Sequence, residues 1–412
     1  MKETEIKETH CFGENLKQFL LHIESLSTSL PLVIKTIDES NLNAIKTHST
    51  FLKNECELKD GEKNVYTLKP EQISKNEKLK KIANQTKIAR VIVQRNFIVS
   101  LVSQYDAFIG SLIRTMYYFK PELLNSSEKQ LTFSNLVSFN SIENAREYII
   151  EKEIESVLRE NHTEHFKWIE NKLNIKLRKD LNIWPIFIEL TERRNLYVHN
   201  NGKVNNQYLK ICSDNSYEFK NKPNIGDELH VDSVYFESAF KCLYELAVKL
   251  TQVIWRNLQP VELLKCDDSL LDITYELILD KKYDLAKILL DFMDKYVKKF
   301  SSDDVKYRLI FNRAQTYKWL GDEKKCLEIV KSSDWSASND LFKLASQVLT
   351  DDFEKASETM KRIGSNQDIL PKLCYLEWPI FNKFRKNEIF LKTYKEIYKE
   401  EPELREENIN AT

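Results

Sequence analysis

The chain has 412 residues, 42% of them hydrophobic and 30% charged, with 62 basic against 63 acidic side chains. That is too apolar for a disordered chain and long enough for two or three packed domains. The near-zero net charge of −1 excludes a global basic field for coating nucleic acid. Glycine is the informative scarcity: 7 residues in 412, under 2%, against a usual share of about 7%. Gly202 and Gly226 are the nearest pair. No G-x-G-x-x-G, no Walker A loop and no G-x-S-x-G elbow can therefore be written. Few Gly and Pro with abundant Lys, Glu and Leu point to an all-α protein. The seven cysteines are scattered, without a C-x-x-C pair, and read as reduced thiols of a cytoplasmic protein. The charged opening MKETEIKETHCFGENL has no apolar core of a signal peptide, and no apolar run suggests a membrane partner.

In chain order, residues 1–84 read as an N-terminal helical extension. Phe19, Leu20, Ile23 and Leu26 recur at helical spacing, and Pro31 is expected to break that helix. Residues 53–84, rich in Lys, Glu and Asn, read as loop or linker. From Lys87 to about Tyr118, the residues Ile98, Val102, Tyr105, Ile109, Leu112 and Met116 form one apolar stripe on a long helix. Two helices are expected in 141–176, entered at Asn140 or Ser141. A further helix occupies 180–200, with Pro185 in its first turn and Asn200-Asn201-Gly202 as its stop. Residues 206–231 lack helical period and read as short strands or an irregular hairpin. A helix from about Ser233 to Leu258 follows.

Residues 259–412 change character. Helix pairs recur, and the second helix of each carries a small residue, Ala286, Cys326 and Ala356, at spacings of 40 and 30. Ala314, Tyr317, Gly321 and Cys326 follow the tetratricopeptide order of small, aromatic, turn and small residues. The stretch resembles a degenerate tetratricopeptide-like array, in which small residues let paired helices approach.

The segment with chemistry is ELTERRNLYVHNNGKVNNQYL, residues 189–209. On a wheel at about 100° per residue, Ile183, Phe187, Leu190 and Val198 share a stripe that also holds Arg194. Asn195 and His199 lie beside it and are i,i+4 neighbours. Glu189, Glu192 and Arg193 fall on the other side, which gives Arg193 a solvent-facing position. A guanidinium on an apolar stripe is costly unless paired or serving a site.

Arg194-Asn195-Leu196-Tyr197-Val198-His199 matches the R-N-x-x-x-H motif of the HEPN (higher eukaryotes and prokaryotes nucleotide-binding) superfamily of ribonucleases. With Glu192, Gly202, Val204, Asn205, Tyr208 and Leu209, the segment resembles the form seen in bacterial HEPN proteins linked to phage defence. The resemblance spans roughly residues 85–258. It implies an up-and-down helical bundle that dimerises and brings two motifs together. It also implies a metal-independent endoribonuclease that uses the RNA 2′-OH as nucleophile and needs no cofactor. His199 would serve as acid or base, Arg194 would hold the phosphate, and Asn195 would orient the imidazole or substrate. The expected setting is a toxin of abortive infection acting on tRNA or mRNA, with a protein trigger on the array. The alternative is an inactive bundle serving dimerisation or RNA binding. Asn201 stands where family members regulated by nucleotidyltransferase antitoxins carry Tyr, so that regulation is not expected. Asp106, the pair His162 and His165, and the basic run Lys75 to Arg90 read as solvated helix positions.

Overall fold

A computed structural model describes residues 11–127, 129–179 and 181–403. Helix accounts for 74% of it, which makes the fold all-α. The chain divides into two compact units, Met1–Thr251 and Gln252–Thr412.

The first unit is built on two long antiparallel helices, α1 (Phe12–Glu55) and α2 (Pro70–Phe119). A minimal hairpin joins them, with β1 (Glu57–Leu58) paired to β2 (Tyr66–Thr67). Two expectations are overturned here. Helix α1 runs through Pro31 instead of ending there. Pro31 sits on the exposed side, where water can take the carbonyl hydrogen bond that a proline cannot satisfy. The expected linker 53–84 shrinks to the hairpin, because Pro70 opens α2 from a first-turn position that suits proline. The Gln72 side chain accepts the Lys69 backbone N–H at 2.9 Å and closes that helix start.

Of the expected extension 1–84, residues 1–10 lie outside the described residues, and residues 11–84 do not stand apart from the rest of the unit. Phe19 stacks on Phe108 at 4.8 Å, Phe12 stacks on Phe119 at 5.6 Å, and Asn15 Nδ2 donates to Thr115 Oγ1 at 2.9 Å. Phe12, Leu16, Phe19, Leu20 and Ile23 thereby join the core of the unit. Each such side chain removed from water contributes about 1.5–3 kcal/mol. The outer halves of the pair form a two-helix arm that leaves Leu32, Leu42, Ile45, Ile73, Ile82, Ile88 and Ile92 exposed. Polar contacts hold it, among them His48 Nε2 to Asn76 Oδ1 at 2.8 Å and Thr86 Oγ1 to Asn41 Oδ1 at 3.0 Å.

The stripe Ile98, Val102, Tyr105, Ile109, Leu112 and Met116 is fully buried. Leu101, Phe108 and Ile113 are buried with it, so this half of α2 is enclosed on more than one face. By length and composition α2 holds an 18-residue stretch apolar enough to cross a membrane, half of it buried inside the fold. Around it stand α3 (Phe133–Ser138), α4 (Ile142–Arg159), α5 (His162–Leu173), α6 (Trp184–His199), α7 (Asn206–Asp214) and α8 (Ser233–Leu258). Residues 206–214 form α7 and not a strand. Asn205 caps it by accepting the Tyr208 N–H at 2.8 Å, and Tyr208 and Cys212, one turn apart, are its buried face. The expected hairpin reduces to one bridge, Lys203 to Glu228.

The second unit begins inside α8 and continues with α9 (Leu263–Leu279), α10 (Tyr283–Tyr296), α11 (Asp303–Trp319), α12 (Glu323–Lys331), α13 (Asp340–Leu349), α14 (Phe353–Ile363), α15 (Lys372–Glu377) and α16 (Glu388–Tyr398). Three tight turns recur, each with one left-handed residue: Lys281, Gly321 and Asp351 at φ 59°, 85° and 58°. Asp322 and Asp352 then cap the following helices. Ala286, Cys326 and Ala356 are buried at these pairings, as is Ala314. The seven cysteines are free thiols, four of them buried.

Candidate functional site

Helix α6 carries the site, and its neighbours determine which side chains reach solvent. Its start is fixed by Pro185 in the first turn. Its end is fixed by Asn201 and Gly202, both left-handed, with the Asn200 and Gly202 N–H groups donating to Leu196 O at 2.8 and 2.9 Å. Gly202 is required twice over. Its φ is +76°, and a Cβ there would stand 3.1 Å from the Tyr197 ring and 3.2 Å from Arg95 Cζ. Arg95 locks the turn from α2, donating to Asn201 O at 3.1 Å, pairing with Glu228 and covering the Tyr197 ring.

Along α6 itself the single-stripe wheel fails. Arg193, expected in solvent, is 12% exposed, while Val198, expected in the core, is 48% exposed. The chain beyond the turn and α8 cover the side of α6 that the wheel assigned to water. Arg193 Nε donates to Glu189 Oε1 at 2.6 Å, and its guanidinium lies 3.9 Å from the Tyr235 ring centre. Glu189, 1% exposed, also accepts from Tyr208 OH at 2.6 Å and Tyr235 OH at 2.8 Å. Burial disfavours the Arg193 charge, but Tyr235 and Glu189 outweigh it, and the guanidinium is held above its usual pKa. Burial, with the Glu189 charge, likewise pushes the Tyr208 phenol up. This network is a structural floor that ties α6, α7 and α8 together.

Above the floor lies a cleft of about 440 Å³. Arg194, Asn195 and His199 all line it, together with Glu192, Asp106 and His162. Arg194 is half-buried, with an η-nitrogen 3.4 Å from Asp106 Oδ2 and the other donating to Asn195 Oδ1 at 3.2 Å. Its Nε is buried and bonds no described residue. Asp106 also meets His162 Nε2 at 2.8 Å. Asn195 Nδ2 reaches Glu192 Oε1 at 3.4 Å. Burial raises the Glu192 carboxyl above its ordinary value, with His162 and Asn195 pulling the other way. His199 is exposed in the last turn of α6. Five positions at about 1.5 Å rise put its Cα about 7.5 Å along the axis from that of Arg194.

Three side chains expected in solvent are not there. Asp106, 26% exposed, is a member of the cleft, and His162 and His165 are buried. Burial, reinforced by the His162 charge, lowers His165 to about 4. A signal for the histidines was present in the chain: His162, His165, Phe166, Ile169 and Leu173 recur at helical spacing as the buried face of α5. The Lys75–Arg90 run rides on the arm, where Lys75 pairs with Glu55 at 2.6 Å and Arg90 with Asp38 at 3.5 Å. None of that run lines the cleft. Among the described residues no group of three or more His, Cys, Asp or Glu is placed to hold a metal ion.

The cleft thus gathers a cation, an amide and an exposed imidazole on one helix, braced by a carboxylate from α2. Such a set can bind an anionic phosphate and move a proton beside it. Comparison of the chain with protein-family models, with curated proteins and with solved structures finds no match.

Proposed function

We propose that the chain is a metal-independent endoribonuclease of the HEPN type, acting as a toxin in anti-phage abortive infection. The observation that carries the reading is that Arg194, Asn195 and His199, in R-N-x-x-x-H order, line a single cleft. The 2′-OH of a bound RNA attacks the adjacent phosphorus while His199 accepts its proton. Arg194 holds the non-bridging oxygens and stabilises the charge that builds on them. The P–O5′ bond breaks, and the departing oxygen takes a proton from an imidazolium or water. The products are a 2′,3′-cyclic phosphate and a 5′-OH. Asn195 orients the imidazole or the substrate. Asp106, which lines the same cleft, meets Arg194 at 3.4 Å, a weak contact that a phosphate can replace. The proposed assembly is a homodimer through the bundle, with tRNA or mRNA as substrate and a protein trigger on the helix pairs.

The Arg194–Asp106 ion pair also supports a second reading, in which the guanidinium is neutralised and the bundle only dimerises or binds RNA. Inducible expression in bacteria separates the two. A nuclease arrests growth, and His199→Ala or Arg194→Ala, verified as folded, abolishes the arrest. A binding module keeps its effect in both variants.

A further inference from the structure

The second unit contains a cavity of about 210 Å³ that the proposed nuclease chemistry does not use. Its walls are aromatic and aliphatic. Phe311 and Phe342 are buried in them, while Tyr275 and Trp378 are half-buried. Four polar side chains interrupt that lining: Asp272, Arg308 (exposed and paired with Asp304), Asn312 and Gln315. Gln315, 3% exposed, donates through Nε2 to Asn312 Oδ1 at 2.8 Å. Its Oε1 is buried and bonds no described residue, and Gln315 lines the cavity. A buried amide oxygen without a donor is costly. A ligand group that supplies the donor recovers that cost.

Size and polarity together specify the occupant. Small-molecule sites occupy about 300–1,000 Å³, and this cavity falls below that range. It matches one aromatic side chain, the kind of anchor that fills a pocket at a protein interface. Aromatic walls favour a ring, and the buried Gln315 Oε1 calls for a hydrogen-bond donor, which an indole N–H supplies without bringing an acceptor of its own to bury, as a phenol would. We propose that this cavity binds the tryptophan side chain of a peptide segment from a partner protein, its indole N–H donating to Gln315 Oε1. Phenylalanine has no donor and leaves the acceptor unmet. The proposal stands independently of the nuclease reading.

The test uses the full chain and N-acetyl-tryptophanamide, followed by saturation-transfer nuclear magnetic resonance. Binding is expected with a dissociation constant on the order of 1 mM. N-acetyl-phenylalaninamide should bind at least about tenfold more weakly, equivalent to about 1.4 kcal/mol. Gln315→Leu should erase that preference. Ala345→Phe, which fills the cavity, should abolish binding, with circular dichroism verifying its fold. The proposal is overturned by no transfer to N-acetyl-tryptophanamide at millimolar concentration. Equal binding of the two amides, or an unchanged preference in Gln315→Leu, overturns it as well. Tighter binding of free indole than of the amide overturns the peptide source in favour of a free ring compound.

Discussion

Replacing Glu189 by Ala tests whether the floor under the cleft is held as described. Glu189 accepts from Arg193, Tyr208 and Tyr235 while 1% exposed. Its loss leaves a guanidinium that is 12% exposed without its carboxylate. Breaking one side of a buried ion pair costs about 3–5 kcal/mol. The two orphaned phenols add about 1–3 kcal/mol each if they stay buried. Relaxation and water entry reduce the sum, so the expected loss is about 5 kcal/mol, a large part of a domain's total of about 5–15 kcal/mol. Urea unfolding of the full chain, followed by circular dichroism, measures it. The double variant Glu189→Leu/Arg193→Met removes both charges, and it should recover at least about 2 kcal/mol relative to Glu189→Ala. A loss below about 1 kcal/mol in Glu189→Ala would refute the reasoning, because it would mean that water reaches the pair.

His165 gives a pH dependence. Its folded pKa is lowered from 6.5 to about 4 by burial, so its contribution is present above pH 6.5 and is lost as pH falls toward 4. Stability should fall by up to about 1.4 kcal/mol per pH unit in that window, and urea midpoints for wild type and His165→Gln should converge as the pH drops. The raised Glu192 works in the opposite sense: Glu192→Gln should stabilise the protein at neutral pH and have little effect in acid. Gly202→Ala must adopt φ +76° and meets Tyr197 and Arg95, so a loss of about 1–3 kcal/mol is expected by thermal unfolding. Pro31→Ala restores a hydrogen bond in an exposed part of α1. Hydrogen exchange in the arm should slow, with gain bounded by about 3 kcal/mol.

The chain reveals most where one physical rule acts alone. The stripe from Ile98 to Met116 follows from helical period, and the end of α6 follows from Asn and Gly accepting positive φ. Reading fails where long-range packing overrides the local rule. Pro31 reads as a stop, yet on an exposed face it costs little more than one hydrogen bond. Residues 206–214 read as irregular because only Tyr208 and Cys212 mark the buried face of a short helix. Arg193 reads as solvent-facing because a wheel with one apolar stripe assumes one buried side, and α6 is covered on two. The cleft follows the same logic. Arg194, Asn195 and His199 stand out by spacing on one helix, whereas Asp106 and His162 come from other elements and meet only in the folded chain.

Cleavage of RNA by the purified chain tests the central claim most directly, and His199→Ala is its cleanest control because His199 is exposed and outside the buried network. Wild type and variant are incubated with total cellular RNA in excess chelator, and the ends of the fragments are analysed. Discrete fragments with 2′,3′-cyclic phosphate and 5′-OH ends from the wild type alone are the predicted result. Intact RNA in both lanes, together with growth unaffected by expression of the wild type before and after phage infection, would contradict the nuclease reading.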